Sequence, residues 1–163
     1  MRVIIITSFL VAFLLTVVAV DPEWRWCRPE FVLLLVIYWS MFFPQNFGLA
    51  AAWCTGICLD LLQFSPLGFH AMGLLLISYI SLLLYRRIRN YLLWHQALWI
   101  FVLVVIFQLF SHWLGNFYGK VVDSSLFLIS SLLTALLWPL LVAFMGRVLG
   151  YFRVFYWASA GDK

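Results

Sequence analysis

The sequence predicts an all-α integral membrane protein, a bundle of six transmembrane helices with almost nothing outside the bilayer. Apolar residues fill 66% of the 163 positions. They come in long blocks, the first of which runs from 3 to 20 without a charge. Charged residues make up only 10% of the chain, ten Lys/Arg and six Asp/Glu, where a soluble domain carries about a quarter. A hydrocarbon core of about 30 Å asks for about 20 helical residues. Backbone amides in lipid must bond within their own segment, so such blocks read as helices.

The spans fall at about 3–20, 29–43, 47–62, 70–85, 96–114 and 125–145, in a single domain, 1–163. Arg2 and the Val17-x-Ala19 pattern give the first block the look of a signal peptide. Its apolar stretch exceeds the usual 7–15 residues, so it reads as a retained span. The second holds the most apolar run, Phe31-Val-Leu-Leu-Leu-Val-Ile-Tyr-Trp39, and ends at the turn Pro44-Gln-Asn46. It is short, which calls for tilt or local thinning of the bilayer. Gln63 and Ser65-Pro-Leu-Gly68 divide the third span from the fourth, the segment 86–96 divides the fourth from the fifth, and 115–124 divides the fifth from the sixth. In the sixth, Ser130 and Thr134 share a face suited to hydrogen bonds across helices, and Pro139 removes a backbone donor and kinks the helix. A hydrophilic tail starts at Gly146.

Orientation follows from the placement of Lys and Arg. With both termini cytoplasmic, the inner segments hold Arg2, Arg86, Arg87, Arg89, Arg147, Arg153 and Lys163, and the outer ones Arg25, Arg28 and Lys120. A five-span chain with 31–43 re-entrant and the N-terminus outside satisfies the charge bias equally well. The strongly apolar character of the run 31–39 and the Pro44 turn favour six. Trp24, Trp26, Trp39, Trp94, Trp99, Trp113, Tyr118, Tyr151, Tyr156 and Trp157 lie near span ends, as interfacial belts do.

Several function classes drop out. The net charge of +4 is spread over inter-span segments, which is not a nucleic-acid footprint. Catalytic and phosphate-binding signatures are absent, so neither an enzyme nor a cofactor site is expected. Cys27, Cys54 and Cys58 have no His or Cys cluster beside them, and no metal site is expected.

Asp60 is the one acid embedded in an apolar run. An aspartate in lipid costs about 2.5–3.5 kcal/mol on insertion scales, so it should face protein or water. Gly48, Ala52, Gly56 and Asp60 recur every four residues and form a seam of small residues along which two helix backbones can approach closely. Three readings stay open for Asp60: a packing or partner anchor, a carboxylate solvated at the outer interface, and a proton or ion relay. His70 follows after a short turn, within reach of Asp60 as a polar pair. Arg86, Arg87 and Arg89 form a basic patch that sets topology, touches anionic headgroups or meets a cytoplasmic partner.

Four segments in order are similar to one family. Arg28-Pro-Glu-Phe-Val-Leu-Leu-Leu-Val-Ile-Tyr-Trp39 resembles the loop and second span of the bacterial rod shape-determining protein MreD. Gly56-Ile-Cys-Leu-Asp60 and Leu67-Gly-Phe-His-Ala71 resemble its G-x-x-L-D block and the L-G-x-x-A turn after it. Arg89-Asn-Tyr-Leu-Leu-Trp-His-Gln-Ala97 and Leu137-Trp-Pro139 match later segments, with Trp94-His95-Gln96 where the family often has W-Q-Q. The resemblance covers roughly 28–150. It implies a non-catalytic membrane scaffold of the elongation machinery, in the bacterial inner membrane, needed for rod shape and lateral peptidoglycan synthesis. Its implied partners are MreC and, indirectly, MreB, RodA and a class B penicillin-binding transpeptidase. It also implies a fold similar to the substrate-binding subunit of energy-coupling-factor transporters, which supplies the alternative function, a vitamin-type small-solute binding subunit.

Overall fold

The computed structural model describes residues 2–17, 29–88, 91–117 and 127–160. These form six helices and, among the described residues, no strand: α1 (Arg2–Val17), α2 (Phe31–Phe42), α3 (Leu49–Leu62), α4 (Phe69–Ile88), α5 (Leu93–Phe117) and α6 (Phe127–Ala160). They match the six apolar blocks in number and order.

Three helical stretches, Phe69–Ile88, Leu93–Asn116 and Leu128–Gly150, are long and apolar enough to cross a membrane. The apolar helices before them are shorter. At 1.5 Å per residue the 12 residues of α2 span about 18 Å, well under the roughly 30 Å of hydrocarbon. The packing accounts for this. α2 sits at the centre, against α1, α4 and α6, and every residue from Val32 to Met41 is buried. A helix that protein rather than lipid encloses along its length need not match the lipid in length. Its first polar group is also provided for, since the Glu30 backbone N–H donates to Thr134 Oγ1 of α6 at 3.1 Å.

α4 is the second hub, packed on α2, α3 and α5, while α5 pairs with α6. Gly73 admits Phe107 of α5 so closely that an added Cβ would lie 2.7 Å from its ring. The core gathers around Trp39 and Trp138, both fully buried, with the Tyr38 ring 6.3 Å from that of Trp138.

Two expectations need correction. Trp39 is not an interfacial residue: it lies in the core, and its indole Nε1 donates to Ser8 Oγ of α1 at 3.1 Å. Trp94, Trp99 and Trp113 are exposed, as belt residues are. Trp24, Trp26 and Tyr118 lie outside the described residues. The sixth helix does not stop at 145 but continues to Ala160, with Pro139 inside it. Hydropathy falls at Gly146, but a helix can leave the apolar layer and keep its own backbone bonds.

Candidate functional site

The buried face of α3 is narrow: Ala52, Gly56, Leu59 and Asp60. The first, second and fourth are the later members of the predicted seam. Gly48 stands apart from them. It is the residue before the helix, in an extended conformation (ψ 177°), and an added Cβ there would meet nothing within 4 Å. Gly56 sits directly on α4, where an added Cβ would lie 2.8 Å from Ala71 N and 2.9 Å from Ala71 Cβ. No side chain fits between these two backbones.

Below that contact α3 ends in a Schellman arrangement. The Ser65 N–H donates to the Asp60 carbonyl at 3.0 Å, and Phe64 takes the left-handed conformation, φ 50°. Glycine normally fills that position. Gly68, φ 96°, then turns the chain into α4.

The Asp60 side chain closes the turn. Oδ1 accepts from Ser65 Oγ at 2.8 Å, from the His70 backbone N–H at 2.8 Å and from His70 Nδ1 at 2.7 Å. Oδ2 accepts from the Gly68 backbone N–H at 2.8 Å. A carboxylate only accepts, so the His70 hydrogen sits on Nδ1. Two of the four donors are backbone amides at the start of α4, which have no intrahelical partner. Asp60, fully buried, is therefore a long-range cap that ties the end of one helix to the start of the next. Around it Leu61, Leu62, Phe64 and Leu67 are exposed, Phe64 to 94%, so the turn carries an apolar rim. Backbone amides that a turn withdraws from water need partners inside the protein, and Asp60 supplies them.

The predicted pair and three seam residues thus form one unit. The basic patch is elsewhere. Arg86 and Arg87 lie in the last turn of α4, about 24 Å from His70 along the helix at 1.5 Å per residue. Arg86 Nε donates to Tyr85 OH at 3.0 Å. Arg89 is outside the described residues. Cys54 and Cys58 are exposed on α3, Cys27 is outside the described residues, and among the described residues no three His, Cys, Asp or Glu are placed to hold a metal.

Sequence reasoning missed most of the polar contacts that cross the bundle. Ser40 of α2 meets Ser78 of α4 at 3.0 Å. Gln108 of α5 accepts from Ser131 of α6 at 2.6 Å and donates to Ser130 at 3.3 Å. Trp138 Nε1 donates to Gln96 Oε1 at 3.2 Å. Thr134 donates to the Ser130 carbonyl within its own helix at 2.6 Å while accepting from Glu30. A lone polar residue inside an apolar block was the available signal, but it does not name the partner on another helix.

Comparison with known proteins adds two findings. The family model described as rod shape-determining protein MreD matches residues 1–148. The rod shape-determining protein MreD of Haemophilus influenzae (strain ATCC 51907 / DSM 11121 / KW20 / Rd) is 26% identical over 150 residues, covering 88% of this chain and 89% of the relative. No solved structure matches the chain.

Proposed function

This chain belongs to the MreD family of rod shape-determining proteins, and on that premise we propose that it is a non-catalytic, single-domain scaffold of the inner membrane. In this reading all six helices cross the bilayer, both termini are cytoplasmic, and the chain supports lateral peptidoglycan synthesis through MreC, with MreB, RodA and a class B transpeptidase as indirect partners. The observation that carries the scaffold reading is the Asp60 cap. The one acid embedded in an apolar block has both carboxylate oxygens engaged by the α3–α4 turn. Gln96, Gln108, Ser130 and Ser131 likewise bond one helix to another. A solute carrier needs such groups turned toward a ligand, and here they hold helices together.

Two placements support the six-span arrangement. α2 begins beside Thr134 of α6 and ends at a turn that shares a cleft with Arg86, at the far end of α4. Its ends thus lie at different depths, which suits a crossing helix better than a re-entrant one.

Depletion of the protein tests the reading. Rod cells should round up and lateral wall synthesis should lose its localisation, and affinity purification from membranes should recover MreC. Shape defects fully reversed by supplying a vitamin would overturn it in favour of the solute-binding alternative.

A further inference from the structure

We propose that the cleft between the α2–α3 turn and the end of α4 binds the phosphate of an anionic phospholipid headgroup. The cleft has a volume of about 560 Å³ and is lined by Gln45, Asn46, Tyr85 and Arg86, with Phe42, Phe43 and Pro44 forming the remaining wall. Its polar side chains offer amide, hydroxyl and guanidinium donors, and among the described residues no acidic side chain lines it. Arg86 is anchored rather than loose. Its Nε bonds to Tyr85 OH at 3.0 Å, and its guanidinium carbon lies 5.7 Å from the centre of the Tyr85 ring. Arg87 adds a second positive charge in the same helical turn. A planar, pre-positioned guanidinium beside neutral donors is the arrangement that recognises phosphate oxygens.

The surroundings select a lipid over a soluble anion. The next helix starts at the same end, joined through the Tyr91 N–H to the Ile88 carbonyl. There Leu92 is 72% exposed and Trp94 77% exposed, with Tyr91 and Leu93 exposed beside them. Exposed leucine with tyrosine and tryptophan marks the depth where hydrocarbon meets headgroups. The cleft therefore opens at headgroup level, its aromatic wall beside Arg86. The inference rests on the membrane reading of α4 and α5, but not on the proposed part in cell-wall synthesis.

The test is native mass spectrometry of the full-length protein in detergent, titrated with phosphatidylglycerol or with phosphatidylcholine of the same acyl chains. Each arginine near an anionic surface contributes about 1 kcal/mol, which is about fivefold in affinity. The wild type should prefer phosphatidylglycerol by about fivefold or more. Arg86→Ala should remove most of that preference, and Tyr85→Phe, which keeps the ring but not the hydroxyl anchor, should reduce it. Arg147→Ala, the same charge change at an exposed position of α6 outside the cleft, should reduce it much less. A wild type without preference overturns the proposal, as does an equal loss in the Arg147 and Arg86 variants. Displacement of phosphatidylglycerol by millimolar inorganic phosphate would also overturn it, because the site would then be one for a soluble anion. Each of these results can be obtained with the shape-determining role intact, so failure here and failure of that role are separable.

Discussion

Gly56 of α3 lies so close to Ala71 of α4 that an added Cβ would sit 2.8 Å from the Ala71 backbone nitrogen. The clash would be with main chain, which cannot swing aside. Even Gly56→Ala should therefore push the helices apart, at about 1–3 kcal/mol for overpacking. Gly56→Leu should insert into the membrane but fail to support rod shape. Because backbone atoms set the limit, Ala71→Gly should not restore the Gly56→Ala variant. Thermal unfolding in detergent checks the first claim, cell shape at matched membrane levels the second. Full rescue by Ala71→Gly would show that the methyl group, not the backbone, fixes the spacing.

Phe64 offers a contrasting case. It holds φ at 50° and exposes 94% of its surface, so its conformation costs roughly 1–2 kcal/mol and its ring returns little packing. Phe64→Gly relieves the strain, and the greater freedom of glycine in the unfolded chain takes back about 0.5–1 kcal/mol. The variant should melt at the same temperature or slightly higher. A loss beyond about 1 kcal/mol would mean that the ring packs against the turn after all.

Much of this arrangement was legible in the sequence. Apolar block length gave six helices in order, and four-residue spacing brought Ala52, Gly56 and Asp60 to one face. The ten-residue step from Asp60 to His70, with Pro66 and Gly68 between them, was enough to place the pair in reach. The seam ran one residue too far because spacing alone does not show that Gly48 precedes the helix. The central position of α2 was harder to read. Its lack of any polar face was the clue, but short length suggested tilt rather than enclosure. Trp39 was misplaced for the same reason: position near a span end suggested a belt, while the indole was bonded to Ser8. Cross-helix pairs such as Gln108 with Ser131 depend on rotation and depth of both helices, which one sequence leaves open.

The arrangement of α2 makes topology testable. With α2 crossing, both chain termini fall on the side of Arg86 and Arg87. A reporter active only outside the cytoplasm should be silent at the C-terminus and active when inserted after Gln63, beside the Asp60 turn. Strong activity at the C-terminus would rule out the six-span arrangement with cytoplasmic ends.

Asp60 separates capping from relay. Asparagine keeps an oxygen for the donors on Oδ1 but replaces Oδ2, where the Gly68 N–H donates at 2.8 Å, by an amide that cannot accept. Asp60→Asn should therefore orphan about one part-buried donor and cost about 1 kcal/mol, the low end of the penalty for a fully buried one. Leucine removes every acceptor and leaves the Gly68 and His70 backbone N–H groups unpaired, with the same penalty falling on each. The expected order of melting temperature and of shape complementation is wild type, then Asp60→Asn, then Asp60→Leu. Ser65→Ala removes one donor and leaves both backbone bonds, so it should be milder than either. A relay makes a different forecast: asparagine and leucine would fail alike in shape complementation, because neither titrates, while the asparagine variant stayed as stable as the wild type. Near-silence of all three variants would instead mean that water replaces the lost acceptors and that the turn holds without its cap.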